Sequence, residues 1–597
     1  MKRWVWLGLV GLMACNEEKP VDPPVEPQDC TDTSESALPE PSLSSQAQAL
    51  SAQEQALARD GREPVLIQYR RTLSASAIVP RAVEDAVVGT GGRVSARWAR
   101  LGAMAAWVTP EERKQLESHP DVLAIEPDRV VKAFTLQARQ PLVTRGTVGE
   151  YTEGIKLVQA HEVWDPDGDG TLNANAPTGA NVKVCVIDSG WDNRHPELVG
   201  AYVGGKDFID LDDEPLDQDK VTGQWGGGHG THTAATIVAQ LASAGVADPS
   251  EDSNGVVGVA PGVELLVARV LNTQGNGRTS HIISAVEWCQ QQGAKIASLS
   301  LGAPEASTLE ENAFAAALAG GMLPIAASGN SGTGVPVTEP PIAYPAAYPS
   351  VIAVGAVDFK LAHPKFSQVG PQLSLVAPGV NVLSAIVRGS ESYSSVEVNG
   401  VKFASRSLAF APVGDYSGKL LVCGQGSSSA ACGQEATCSG FVAYVDRGGL
   451  DKEGKSLTFA NKVDFMRRAG ARAVIIGNNN PTEDDVGFTL GTEGTWVPTA
   501  SVSFADGNAL KALAGKDANV KLIGVDYVRL TGTSMAAPHV AGVAALVWSA
   551  RPSLTPTQVR ELLEKTAMPL GTAGRDNTFG HGLVQARKAL DELALMP

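Results

Sequence analysis

A serine stands between a glycine turn and a run of helix formers in Gly532-Thr533-Ser534-Met535-Ala536-Ala537-Pro538-His539. A serine at a helix start has an exposed hydroxyl, and its backbone N–H is unpaired beside the positive end of the helix dipole. Those are the parts of a nucleophile whose attack creates an oxyanion. Taken alone, such a serine is a helix cap. Two upstream segments supply its partners. Asp188 closes the apolar run Val182-Lys183-Val184-Cys185-Val186-Ile187, which predicts a buried strand with a carboxylate at its C-terminal end. In an open parallel sheet, sites form there. His229, in Gly228-His229-Gly230-Thr231-His232-Thr233-Ala234-Ala235, opens a small-residue helix from a second glycine turn. Nucleophile, base and a carboxylate that orients the base are the parts of acyl-transfer catalysis.

The order Asp, His, Ser in these three contexts resembles the subtilisin-like serine proteases (subtilases). Gly255-Val256-Val257-Gly258-Val259-Ala260-Pro261 resembles the family's core strand entry. Ser300-Leu301-Gly302 and Ala327-Ser328-Gly329 resemble its substrate-binding walls, and Asn330 its oxyanion donor. Tyr348-Pro349-Ser350-Val351-Ile352-Ala353-Val354-Gly355-Ala356 and Ala377-Pro378-Gly379 extend the likeness. It runs over residues 151–389 and 526–597. Ala235 departs from it, standing where the family has glycine. The resemblance implies that His229 takes the Ser534 proton and Asp188 holds the imidazole. It implies that Asn330 and the Ser534 N–H bind the oxyanion.

The chain has 597 residues and a formal net charge of −17, from 48 basic and 65 acidic side chains. Its length exceeds one ordinary domain. The acidic balance argues against nucleic acid, which needs a basic face. Lys2 and Arg3 precede an apolar run from Trp4 to Ala14 that is too short to span a bilayer, so residues 1–14 read as an export signal. Leu12-Met13-Ala14-Cys15 resembles a bacterial lipobox, which implies a lipid on Cys15, a lipid-anchored precursor at the cell envelope, and no other membrane contact. Cys185 and Cys289 read as buried free thiols. One pair among Cys423, Cys432 and Cys438 is expected to be bridged, with the pairing open.

Residues 15–60 are rich in Pro, Glu, Ser and Gln and read as a disordered tether. Over 61–133 the pattern predicts strands at 65–69 and 104–108 and helices at 81–88 and 110–118. That order resembles the subtilase propeptide, a ferredoxin-like inhibitor and chaperone. Residues from about 130 to 150 lack apolar periodicity, and 134–150 are taken as the linker holding an autoprocessing bond. Alternating strands and helices over 151–389 and 526–597 predict an α/β fold with a mostly parallel sheet flanked by helices. Residues 390–525 read as a β-rich insertion. Asp446-Arg447-Gly448, Phe459, Lys462 and Asn478-Asn479 in it resemble a protease-associated (PA) domain.

Two acidic loops are candidate calcium sites. Asp165-Pro166-Asp167-Gly168-Asp169-Gly170 has the D-x-D-x-D-G start of an EF-hand loop, but Ala176 stands at position twelve. A hydrated turn is the plain alternative. Asp207, Asp212, Glu214 and Asp217 resemble a calcium loop that some subtilases carry ahead of the histidine. Calcium would serve the fold, and catalysis needs no cofactor. The expected function is a secreted or lipid-tethered serine endopeptidase, monomeric, acting on proteins and on its own propeptide. A silent binding scaffold and an adhesive protein are the rivals. A lipase is disfavoured because no G-x-S-x-G elbow is present.

Overall fold

The computed structural model describes residues 52–70, 81–134, 150–220, 223–241, 255–334, 340–430, 440–451, 453–481, 488–491 and 494–596. The signal segment, Cys15, Cys432, Cys438 and most of the tether and processing linker lie outside them. The helix Ala52–Arg59 falls inside the stretch expected to be disordered.

The centre is a seven-stranded sheet. Its order is Leu373–Pro378, Ile352–Val357, Leu323–Ala327, Ile296–Leu299, Lys183–Asp188, Glu264–Arg269, Tyr202–Asp207. Every pairing within it is parallel. Strands covered on both faces read as continuous apolar runs, and Leu323–Ala327 and Ile352–Val357 are buried from end to end.

Side chains alternate across a strand. Val184 and Val186 therefore point into the core shared with the helices His229–Val238 and Thr533–Ala550. Cys185 and Ile187 point the other way, into the core under the helix Thr279–Gln291. That alternation corrects the reading of Cys185 and Cys289 as free thiols. They form a disulfide, with Cα atoms 5.9 Å apart and a sequence separation of 104. Cys423 is also disulfide-bonded. Ala235, the departure from the family pattern, is fully buried in the histidine helix.

Residues 63–127 form a four-stranded sheet in the order Arg93–Trp98, Ala103–Val108, Glu63–Tyr69, Val122–Pro127. Its helices Arg81–Gly89 and Pro110–Glu117 cover one face, where Val83, Val87 and Leu116 pack on Val65, Ile67 and Met104. Thr109 caps the start of the second helix with a capping box to Glu112. The other face carries Leu66, Trp98, Ala103 and Ala105. These pack on Ile283, Leu309 and Ala313 of the helices Thr279–Gln291 and Thr308–Ala319. Trp98 Nε1 donates to Ser284 Oγ at 3.0 Å. Glu126 and Asp128 reach past this sheet. Glu126 accepts from Ser307 Oγ and from the N–H groups of Thr308 and Leu309. Asp128 accepts from the N–H and hydroxyl of Ser280 at 2.9 and 2.7 Å. Both carboxylates thus meet the positive ends of helices.

Residues 130–133 do not lack structure, as their composition suggests. Val130–Ala133 is the middle strand of a three-stranded antiparallel sheet, between Leu301–Gly302 and Asn276–Arg278. Local pattern could not foresee this strand, because both partners are distant in sequence.

The insertion leaves the core after Val382–Ala385 and returns at Tyr527–Leu530, two strands paired antiparallel. Between them lies an eight-stranded mixed sheet with its own apolar clusters on its two faces. Its helix Phe459–Arg468 is held by a capping box at Thr458.

Candidate active site

Asp188 sits at the end of its strand and is fully buried. Its Oδ1 lies 2.6 Å from His229 Nδ1 and accepts the Ser189 N–H at 2.7 Å. Its Oδ2 accepts from Thr233 Oγ1 at 3.3 Å. The carboxylate therefore fixes the ring and leaves Nε2 as the free edge. His229 is the first residue of its helix, after Gly228 with φ +71°. That left-handed turn suits glycine, and a Cβ on Gly228 would meet Ile386 and the Val387 backbone. His232, one turn further on, faces away. Its Nε2 lies 3.0 Å from the Val382 carbonyl, and burial pushes its pKa down to about 3.

Ser534 is the second residue of the helix Thr533–Ala550, so its backbone N–H belongs to the unpaired first turn. Its hydroxyl donates to the Ser300 carbonyl at 2.9 Å, and Ser300 Oγ donates back to the Ser534 carbonyl at 2.8 Å. Among the described residues His229 Nε2 has no hydrogen-bond partner. Attack by Ser534 thus requires its hydroxyl to swing from Ser300 to His229.

Asn330 follows the strand Leu323–Ala327, beyond Ser328 and Gly329. Its Oδ1 accepts from the Thr533 N–H and hydroxyl, each at 2.9 Å. This orients the amide so that Nδ2 points outward, and it donates to the Phe134 carbonyl at 2.6 Å. Thr533 was not singled out from sequence. A hydroxyl between the glycine turn and the nucleophile was the available signal.

Phe134 follows the strand Val130–Ala133. Its N–H donates to the Ser300 carbonyl at 3.2 Å. Its ring lies against Gly302, where a Cβ would come within 2.8 Å of Phe134 Cζ. Val131 is 1% exposed and packs into the apolar cluster that holds Leu271 and Leu301. Ser300, Leu301 and Gly302 thus line one side of this segment. Ala327 and Ser328 are fully buried behind it, and Gly329 N–H donates to Thr533 Oγ1 at 3.2 Å.

The acidic loops separate. Asp165, Asp167 and Asp169 converge, with ligand oxygens all within 4.8 Å of one another. Asp165 accepts from the Tyr151 hydroxyl and from two backbone N–H groups, while Asp167 and Asp169 face solvent. Oxygen donors on a short loop suit calcium. The set Asp207, Asp212, Glu214 and Asp217 does not converge. Asp207 pairs with Arg269 at 2.7 Å, Asp212 pairs with Lys220, and Glu214 is exposed. Asp217 points inward and accepts from the Gly228 N–H at 2.7 Å. The crowding of charge that suggested an ion is met at Asp207 and Asp212 by the protein's own cations. Burial pushes the Asp217 carboxyl up to about 7, against the pull of Gly228 N–H and Arg269.

Residues 179–445 and 500–582 match the subtilase family, and residues 409–510 match the PA domain. Subtilisin NAT of Bacillus subtilis subsp. natto is 31% identical over 344 residues, covering 58% of this chain and 77% of that protein. Subtilisin DY of Bacillus licheniformis is 39% identical over 256 residues, covering 43% and 81%. The structure of fervidolysin from Fervidobacterium pennivorans, a keratinolytic enzyme related to subtilisin, is similar at a TM-score of 0.54. It is 20% identical, over 89% of this chain and 61% of that one, a likeness of fold. A parallel sheet that delivers aspartate, histidine and serine to one cleft is thus matched by sequence over more than half the chain, and this protein belongs to the subtilase family as a subtilisin-like serine endopeptidase with an inserted PA domain.

Proposed function

We propose that the protein is a self-activating endopeptidase that cuts its own chain after Phe134, and that residues 61–133 act as its inhibitor and folding aid. One observation carries this reading: the Phe134 carbonyl accepts from Asn330 Nδ2 while the preceding strand is clamped between Leu301–Gly302 and Asn276–Arg278. That is the posture of a substrate held by its backbone, with the carbonyl to be attacked already on an oxyanion donor.

The reaction follows from these groups. Ser534 Oγ attacks the Phe134 carbonyl carbon as His229 Nε2 takes the hydroxyl proton. Asp188 stabilises the imidazolium and holds its tautomer. Charge gathering on the carbonyl oxygen meets Asn330 Nδ2 and the Ser534 N–H. The intermediate collapses, the C–N bond breaks, and His229 returns the proton to the Thr135 amine. Water then releases the acyl-enzyme by the same route. Substrates in trans take the same extended path, with apolar side chains where Phe134 and Val131 sit.

The converging carboxylates of Asp165, Asp167 and Asp169 support a structural calcium ion. A lipid on Cys15 would tether only the precursor, because cleavage after Phe134 separates the catalytic part from it. The PA domain supplies a contact surface for substrates or partners.

N-terminal sequencing of the mature enzyme tests the central claim. Wild type is expected to begin at Thr135, and Ser534→Ala to remain full length when no other protease is present. Maturation of Ser534→Ala, or a wild-type terminus far from Thr135, defeats it.

A further inference from the structure

Asp217 lies outside the three catalytic positions and is fully buried. Its Oδ2 accepts from the Gly228 N–H at 2.7 Å and from the Ser189 hydroxyl at 3.2 Å. Ser189 Oγ in turn accepts the Gly230 N–H at 3.0 Å. One carboxylate oxygen therefore holds both residues that flank His229, one directly and one through Ser189. The Ser189 N–H donates to Asp188 Oδ1, the same oxygen that meets His229 Nδ1.

The surroundings leave little slack. Asp217 N–H donates to the Trp191 carbonyl at 3.1 Å, and the Gly226 N–H donates to the Asp217 carbonyl at 2.7 Å. A Cβ on Gly226 would fall 2.1 Å from Asp217 Oδ1. A Cβ on Gly190, next to Ser189, would fall 2.8 Å from Asp217 N, and one on Gly230 would fall 2.1 Å from the Gly190 carbonyl. The turn after Asp188, the loop ending at Asp217 and the start of the histidine helix are thus fitted together at backbone distance. Gly228 itself offers no side-chain cap to that helix. The hydrogen bonds of Asp217 go to the loops that carry the catalytic pair, and none goes to the strand Val130–Ala133.

We propose that Asp217 is a positioning residue: with Ser189 it locks the backbone on both sides of His229, so that the imidazole stays aligned between Asp188 and the nucleophile. This rests on the serine-peptidase reading above. A catalytic group moved by about 1 Å loses on the order of 100-fold in rate, even when the change is outside the reacting atoms. The role asks for two accepted hydrogen bonds and not for a charge, so an amide oxygen can fill it.

The test compares Asp217→Asn, Asp217→Leu, Ser189→Ala and the double variant Asp217→Leu/Ser189→Ala as mature enzymes. The readouts are kcat and KM on a peptide substrate, the rate at which a fluorophosphonate labels Ser534, and the melting temperature. Asp217→Asn is expected to keep kcat within about 3-fold of wild type. Asp217→Leu and Ser189→Ala are expected to lower kcat and labelling by about 10–100-fold with KM nearly unchanged. The double variant is expected to be no worse than the weaker single one, since both cut one chain of bonds. If Asp217→Leu does not fold, Ser189→Ala and Asp217→Asn carry the comparison. Unchanged kcat in Ser189→Ala, a loss in Asp217→Asn as large as in Asp217→Leu, or additive losses overturn the proposal. Failure of wild-type Ser534 to label at all would instead overturn the peptidase reading beneath it.

Discussion

Asn330 Nδ2 donates a 2.6 Å hydrogen bond to the carbonyl oxygen of Phe134, a residue 196 positions earlier in the chain. Asn330 can aim there because Thr533, next to the nucleophile, holds the other end of its amide. The Asn330 amide, the start of the Ser534 helix and the Phe134 carbonyl are thereby held in one frame.

Removing the donor should cost turnover and spare binding. Asn330→Ala is expected to lower kcat by about 10²–10³ with a small change in KM, the usual effect of losing one oxyanion donor. Maturation after Phe134 should slow by a similar factor. Steady-state kinetics and a time course of precursor conversion check both. A KM effect that outweighs the kcat effect would place Asn330 in ground-state binding instead.

The precursor should lose stability as pH rises toward neutrality. Glu310 is 3% exposed, and its Oε2 accepts from the Tyr348 hydroxyl at 2.8 Å. Burial raises its pKa from 4.5 to about 7; the Tyr348 hydrogen bond and Arg129 oppose the rise, while Glu126 and Asp128 add to it. The folded pKa lies above the unfolded one. The native state therefore keeps a proton that the unfolded chain has already lost. Stability from the neutral form is complete below about pH 4.5 and is lost as pH rises through about 7. Melting temperatures of the Ser534→Ala precursor across that window measure the slope, and Glu310→Gln should reduce it, leaving the share of Asp217, whose carboxyl is raised in the same way. An equal slope in the Gln variant assigns the effect to another group.

Reduction should weaken the catalytic core. The Cys185–Cys289 bond joins the strand that carries Asp188 to the helix Thr279–Gln291, closing a loop of sequence separation 104. Losing such a bond typically costs about 2–5 kcal/mol. A Cys185→Ala/Cys289→Ala variant should unfold at lower denaturant, and reductant should not lower it further through this pair. Equal denaturation midpoints for variant and wild type would show that the bond contributes nothing.

Chelation should act on stability and not on chemistry. A calcium ion on Asp165, Asp167 and Asp169 would favour the folded state by mass action. Excess calcium is expected to raise the melting temperature, and Asp167→Asn/Asp169→Asn to abolish most of that rise. A wild-type melting temperature indifferent to chelator and to calcium rules the site out.

The residues proposed to do the chemistry were legible in the sequence because each sits at a local structural boundary. A glycine turn entering a small-residue helix marked His229 and Ser534, and an apolar run ending in a carboxylate marked Asp188. Apolar runs and helical patterns likewise located the strand that carries Asp188 and most elements of the N-terminal unit. Other features arise from pairs of residues far apart in the chain, and only the tertiary structure decided them. Cys185 and Cys289 meet because strand alternation and helix packing bring them to the same face. Val130–Ala133 becomes a strand because Leu301–Gly302 and Asn276–Arg278 offer two open edges. Asp207, Asp212 and Asp217 look alike as acidic residues in one loop, yet Arg269, Lys220 and Gly228 claim them separately. Sequence composition records the charge of a carboxylate; the fold determines which donor it faces.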